Sequence, residues 1–472
     1  MLHLEEKHYM CWALFFLLAL YSTLIDLSLI IRLKTDIAFI SVVIAASIII
    51  GAVLAAAVCI TNHWINNRTF LAILITIAFL LRLGWILWIP TPVQSDFAEM
   101  YQGAVQAAKG DFSFSKNPYF SAWVYQLGFT MYEALIVRVF GEGLFILKLL
   151  NVLYCTGTVF LVYQIAARLF NESSARMAGV IYAVYTPSIL MCSVLTNEHI
   201  AHFLFYLGFY LLIRKGFHWQ TWLYTGILLA LGDIMRPLGS FILLALGLYL
   251  FFLFLRNGKR AKLQIAGGFA GILAVFYIVH YIVSYGFIAA GVTQYPLSNR
   301  DPLWKFVLGF NHETNGQYSA KDEAYIAQFP IGEQRMEAER QLIQERLSDT
   351  GKTAALFKEK FKIMWGANDA AVYWSLGAIE RPNVKDILFK TERVFYSSML
   401  LFAAAGLFFM IRKSENDLSV FFLLLVLGYA AVHLLIEIQT RYRPFIIPSF
   451  AVFQGYGIFI VFTHLWNKYK RT

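Results

Sequence analysis

Asp96 stands in Gln94-Ser95-Asp96-Phe97-Ala98-Glu99-Met100-Tyr101, directly after an apolar run over 69–90. A carboxylate carried to a membrane surface by a spanning helix is costly to leave unpaired, which makes it a candidate for chemistry. Beside an acceptor hydroxyl it could take up the proton as a general base. Two further acids are candidates for the same work, Glu99 and the Glu198 of Leu195-Thr196-Asn197-Glu198-His199-Ile200. Their complement is a set of arginines: Arg236 in Gly232-Asp233-Ile234-Met235-Arg236-Pro237, and Arg441 with Arg443 in Glu437-Ile438-Gln439-Thr440-Arg441-Tyr442-Arg443-Pro444. A guanidinium presents a planar fork of donors that matches phosphate, so three of them at one membrane face could hold a lipid-linked phosphate. Blander readings stand beside these. Asp96 could cap a helix over 97–108, Glu99 could sit on a solvated face, and each arginine could snorkel to headgroups or pair with Asp233 or Glu437. As a set, the arginines favour the phosphate reading. Glu198 next to His199 supplies two metal ligands without a third, so no metal site is assigned and a divalent cation stays open as a cofactor.

What must position these residues is a membrane. The 472-residue chain is 59% hydrophobic, 17% aromatic and only 14% charged, with mean hydropathy +0.61, which excludes a soluble globular domain. Apolar runs of roughly 17 to 25 residues recur along it, the length that crosses a bilayer core. They predict an all-α polytopic bundle of about twelve helices, at 10–31, 37–60, 69–89, 148–170, 177–193, 199–213, 219–234, 238–255, 264–287, 394–411, 418–436 and 445–464. The first run begins after Leu4-Glu5-Glu6-Lys7 and has no small-residue cleavage site, so it is expected to persist as a span. Cys11, Cys59, Cys155 and Cys192 all lie in apolar runs without paired spacing and read as core residues.

Lysine and arginine in the short connections set the orientation. With the N-terminus inside, Arg68, Arg168, Arg176, Arg214, Lys215, Arg256, Lys259, Arg260, Lys262, Arg412, Lys413, Lys468, Lys470 and Arg471 all fall on the cytoplasmic side. The first hairpin breaks the pattern, since Arg32 and Lys34 fall outside. This bias accounts for most of the net charge of +10 and leaves no need for a nucleic-acid partner.

Two stretches do not span, and both fall outside. In 91–143, the aromatic segment 123–140 carries Glu133 and Arg138, and is expected to be a helix lying in the interface. The second stretch, 291–392, is polar and predicts helices over 331–347 and 352–365, with Asn311 and Asp322 as turn and cap residues. The expected organisation is an extra N-terminal hairpin (1–68), a membrane core (69–290) bearing the external loop 91–143, an external loop domain (291–392) and C-terminal spans (393–472). No internal repeat and no glycine-rich nucleotide loop is present in the sequence.

The order Phe79-Leu80-Leu81-Arg82-Leu83, Ser95-Asp96 with Tyr101, Asn117-Pro118-Tyr119, Ala167-Arg168-Leu169-Phe170, Tyr185-Thr186-Pro187, Leu195-Thr196-Asn197-Glu198, Met235-Arg236-Pro237 and Thr440-Arg441-Tyr442-Arg443 resembles the dolichyl-phosphate-mannose protein mannosyltransferase-like branch of the GT-C glycosyltransferases. It is also similar to the lipid A aminoarabinose transferases. The resemblance implies a GT-C-like bundle in a plasma membrane, taking a sugar from a polyprenyl-phosphate carrier within the bilayer and placing it, with inversion, on an acceptor outside the cytoplasm. It implies Asp96 as base, with Glu99 and Glu198 as further acids. Arg82, Tyr101, Lys116, Tyr119 and Tyr442 are implied in substrate binding, and Arg236, Arg441 and Arg443 at the leaving phosphate. Two departures stand out: Phe97 follows Asp96 where many relatives carry a second acid, and Lys116-Asn117-Pro118 replaces a Lys-Pro-Pro. The competing reading is a flippase or transporter of a lipid-linked sugar, which would hold phosphate without chemistry, and a third is a membrane scaffold.

Overall fold

The computed structural model describes residues 37–216, 218–413 and 417–470. The expected span over 10–31 lies outside them. In order, the helices are α1 (Ile37–Trp64), α2 (Asn67–Trp88), α3 (Asp96–Ala108), α4 (Pro118–Ala122), α5 (Leu127–Phe140), α6 (Leu144–Leu169), α7 (Glu172–Val184), α8 (Thr186–Leu190), α9 (Glu198–Lys215), α10 (Trp219–Met235), α11 (Gly239–Arg256), α12 (Lys259–Ala289), α13 (Trp304–Gly309), α14 (Ala320–Ile326), α15 (Glu333–Leu347), α16 (Thr350–Gly366), α17 (Ala371–Leu376), α18 (Pro382–Lys413), α19 (Asp417–Leu435) and α20 (Ile447–Tyr469). No strand occurs among the described residues beyond one isolated bridge.

Eight of these helices are long and apolar enough to cross a bilayer, and the bent pair α7 with α8 makes a ninth span if taken as one. Helices α9 and α10, expected as spans, have 18 and 17 residues and are not among those eight. The chain is a multi-pass membrane protein. Helix α5 has 14 residues, about 21 Å at 1.5 Å per residue, too short to span. The expected single element over 123–140 is in fact broken: Trp123 leaves the helical region and a 3-10 turn over Val124–Gln126 precedes α5.

Small residues set the tightest packing. A Cβ on Gly457 would lie 1.7 Å from the Phe402 carbonyl oxygen, so α20 and α18 meet backbone to backbone, the usual device where helices gain little from burying apolar area against each other in lipid. At Tyr185-Thr186-Pro187 the chain bends by 54° between α7 and α8, because proline cannot continue the hydrogen-bond ladder. The break frees carbonyls, and Arg82 takes them. Its guanidinium is fully buried and donates to Ala183 O at 2.9 Å, Tyr182 O at 3.3 Å and Ser188 Oγ at 3.0 Å. Arg82 was expected at the substrate; it instead braces a broken span.

The two non-spanning stretches are interlocked rather than separate. Trp123 bridges to Asn299, Tyr125 N donates to Ser298 O at 3.3 Å, and Arg300 N donates to Ala122 O at 2.9 Å. The later stretch is also stitched to the connection between α19 and α20, through Glu437 N to Lys305 O at 2.8 Å and Ile438 N to Gly316 O at 2.9 Å. Lys360, fully buried on α16, donates to Gly309 O at 2.8 Å, Leu434 O at 2.6 Å and Ile436 O at 2.8 Å. Gly316 lets it in: at φ +76 a side chain would be strained, and a Cβ would meet Lys360 Cδ at 2.7 Å. Both stretches therefore close over one end of the bundle, where α9 and α20 begin and α10 and α19 finish.

Candidate functional site

A cavity of about 820 Å³ opens at that end, lined by Asp96, Tyr119, Tyr125, Asn197, Arg236, Lys305, Glu437, Arg441 and Tyr442 among others. Its size fits a small-molecule site, typically 300–1,000 Å³. Its lining comes from segments nearly 350 residues apart in sequence.

Asp96 is the first residue of α3 and is exposed on the cavity wall. Ser95 before it has φ +56 and ψ −145, a left-handed backbone that a non-glycine residue rarely adopts. Such strain costs about 1–3 kcal/mol and persists only where the surroundings enforce it. The turn places the Asp96 carboxylate at the cavity while Phe97 beside it is buried.

Phe97 forms part of the cage around Arg441. The Arg441 guanidinium lies 4.8 Å from the Trp374 ring centre, 5.2 Å from Phe97 and 5.5 Å from Tyr442, contacts each worth about 0.5–2 kcal/mol. Its Nε and Nη1 are buried and have no hydrogen-bond partner among the described residues. Burial works against its charge, yet Tyr442, Glu198 and Asp96 together hold its pKa above the usual arginine value. A fixed, charged, unsatisfied fork facing a cavity is a site for an oxyanion.

Arg236 is the second cation. It ends α10, donates to Asn197 Oδ1 at 3.1 Å, pairs with Glu198 Oε1 at 3.0 Å and lies 5.5 Å over the Tyr442 ring. Lys305 is the third; it pairs with Glu437, whose other oxygen accepts from Gln439 Nε2 at 2.8 Å. Burial alone would raise the Glu437 carboxyl, but the Lys305 charge and the hydrogen bonds from Lys305, Gln439 and Tyr442 hold it below the ordinary range. Tyr119 lines the cavity with its hydroxyl buried and unpartnered. Burial, then the nearby Asp96 charge, push its pKa far up, so it remains a donor at every physiological pH.

The structure separates the expected residues into two groups. Asp96, Tyr119, Arg236, Arg441 and Tyr442 share the cavity. Arg443 does not: it is fully buried, donates from Nε to Met364 O at 2.5 Å and from Nη2 to Ala367 O at 2.7 Å, and lies 5.0 Å over the Tyr396 ring. One residue from Tyr442 along a 3-10 turn over Thr440–Phe445, it points into the protein while Arg441 points to the cavity. Glu99 lies off the lining, within 3.5 Å of Asn117 Nδ2. Tyr101 donates to the Glu142 carbonyl and ties α3 to the turn after α5. The Lys116 side chain is exposed outside the cavity. Glu198 is buried and reaches the cavity only through Arg236.

His199 turns away from Glu198's partner. Its Nδ1 lies 3.2 Å from Cys155 Sγ and its Nε2 2.9 Å from Met191 O. Among the described residues no three His, Cys, Asp or Glu side chains gather as a metal-binding group. Within the loop domain, Asn311 accepts from Thr314 N at 3.0 Å and Asp322 pairs with Arg346 at 2.8 Å, both away from the cavity. Sequence reasoning missed Tyr125, Asn197, Lys305, Trp374 and Gln439. Asn197 and Gln439 lie inside motifs already singled out for their charged neighbours, whereas Tyr125, Lys305 and Trp374 carry no local signal, since only the closure of the loops over the bundle brings them in.

Residues 118–283 match the family model of dolichyl-phosphate-mannose-protein mannosyltransferase. No curated protein matches the chain in sequence. Among solved structures, the apo oligosaccharyltransferase of Archaeoglobus fulgidus shares the fold at TM-score 0.51 and 12% identity, over 86% of this chain and 52% of that one. The oligosaccharyltransferase AglB of the same organism, in complex with an inhibitory peptide and a dolichol-phosphate, matches at TM-score 0.50 and 13% identity, over 87% and 52%. ArnT from Cupriavidus metallidurans, bound to undecaprenyl phosphate, gives TM-score 0.33 and 13% identity over 83% and 76%. The chain thus spans about half the length of the oligosaccharyltransferases whose fold it shares. Residues 118–283 thus resemble the dolichyl-phosphate-mannose-protein mannosyltransferase family, and the chain around them shares the fold of these oligosaccharyltransferases.

Proposed function

We propose that this protein is an inverting glycosyltransferase of the plasma membrane, moving one monosaccharide from a polyprenyl-phosphate carrier to an extracytoplasmic cell-envelope lipid, polymer or protein. The observation that carries the reading is the unsatisfied Arg441 guanidinium sharing a cavity with the Asp96 carboxylate. The carrier's phosphate sits against Arg441 and Arg236. Asp96 takes the proton of the acceptor hydroxyl, whose oxygen attacks the anomeric carbon from the side opposite the phosphate. The bond from that carbon to the phosphate oxygen breaks, and its electron pair stays on the phosphate. Charge grows on the leaving group as this happens, so cations fixed beside it lower the barrier. Positive residues retained at the opposite end of the bundle support an outward-facing cavity. The Archaeoglobus AglB structure, of the same fold, holds a dolichol-phosphate, a carrier of the proposed class.

The test is incubation of the purified protein with radiolabelled polyprenyl-phosphate sugars and a membrane extract. Label appearing on an acceptor is the expected result. Translocation of the carrier across vesicles without transfer would make the protein a flippase, and neither activity would leave only the scaffold reading.

A further inference from the structure

A second cleft, of about 710 Å³, lies on the far side of Trp374 and Gln439 from the first, and both residues line both spaces. Trp374 packs edge-on against Phe97 at 5.3 Å between ring centres, so a molecule passing the rim of Trp374 arrives beside Asp96. The second cleft is lined mainly by residues between Gln317 and Trp374.

Its lining has a particular chemistry. Tyr373 presents its ring with 65% of its surface exposed, at 5.8 Å and nearly perpendicular to Trp374. Gln317, Asn368 and Gln439 contribute side-chain amides. At the floor, Arg393 is 5% exposed, and its Nη2 has no hydrogen-bond partner among the described residues. Glu392 Oε2 stands 3.0 Å from its Nε, so the cleft holds no cation free of a carboxylate partner as the first cavity does in Arg441, and the free nitrogen serves as a hydrogen-bond donor. Aromatic faces, amides and a carboxylate-paired donor suit a hydroxyl-rich ring.

We infer that this cleft is the acceptor site and that the acceptor presents a saccharide there, stacked on Tyr373 with one hydroxyl delivered past Trp374 to Asp96. The inference rests on the transferase reading above. It is tested by saturation-transfer NMR on the purified full chain in nanodiscs, with soluble tetrasaccharides of glucose, mannose, galactose and N-acetylglucosamine as probes and polyprenyl phosphate binding measured in parallel. At least one tetrasaccharide is expected to bind. Tyr373→Ala should weaken it about tenfold and Tyr373→Phe should not, with polyprenyl phosphate binding unchanged in both. Tyr373 is exposed, so neither variant threatens folding. If no probe binds, or if only carboxymethylated casein added as a polypeptide probe does, the saccharide site is overturned while intact polyprenyl phosphate binding leaves the transferase reading standing. Loss of polyprenyl phosphate binding in the wild-type protein would instead remove the transferase reading itself.

Discussion

At the residue scale, Arg441 and Arg443 show how two neighbours of one type divide. Arg441 is held by three aromatic rings and keeps two nitrogens unsatisfied at the cavity. Arg443 donates to the carbonyls of Met364 and Ala367 and is fully buried. Lysine at position 441 keeps the charge but loses the planar fork, so Arg441→Lys should weaken polyprenyl phosphate binding about tenfold, ~1.4 kcal/mol, with the fold intact. Arg443→Met should instead destabilise the protein by about 1–3 kcal/mol, the cost of leaving the buried Met364 and Ala367 carbonyls without a donor; thermal unfolding reads that difference. Asp96→Asn removes the base and nothing that holds phosphate. Transfer should fall by roughly 10²–10⁴ while carrier affinity stays within twofold. Position in a motif could not separate these arginines, because the alternation is set by a 3-10 turn and by what lies beneath it.

At the element scale, the connection from α19 to α20 matters most, since it carries Glu437, Gln439, Arg441 and Tyr442 to the cavity. Lys360 fixes its start by satisfying three carbonyls at once. Lys360→Met keeps the bulk and removes the donors, so it should cost about 1–3 kcal/mol of stability and loosen carrier binding, although Lys360 itself lies outside the cavity. Equal carrier affinity in that variant would show that the connection holds its shape unaided. The helices themselves were legible: each apolar run expected within the described residues became a helix or the bent pair, because twenty apolar residues in lipid have few alternatives. Glu198, Arg236 and Asp96 were legible as charges placed against the grain of a membrane. The brace at Arg82 was not, because a proline break tells of freed carbonyls without telling which side chain takes them. Lys305 and Trp374 were illegible for a related reason, since their partners Glu437, Arg441 and Phe97 lie on other elements far along the chain.

At the scale of the molecule, the site exists only once the loop after α12 closes over the bundle and meets the loop before α5. The Lys305 to Glu437 pair is one of the contacts joining that loop to the membrane core. The Glu437 carboxyl is held below its usual value in the fold, so its contribution is fully present above the unfolded carboxyl's pKa of about 4.3 and is lost as pH falls through the lower folded value. Wild type should therefore exceed Glu437→Gln in unfolding temperature at neutral pH, and the gap should close in strong acid. A gap independent of pH would mean the pair does not fasten the loop. The central claim is more direct: one cavity grips a lipid phosphate through Arg441 and presents a base through Asp96. Native mass spectrometry of the purified wild type, Arg441→Ala and Asp96→Asn with polyprenyl phosphate tests it in a single experiment. The account predicts tight binding by wild type and Asp96→Asn and at least tenfold weaker binding by Arg441→Ala; equal binding by all three, or none by the wild type, would contradict it.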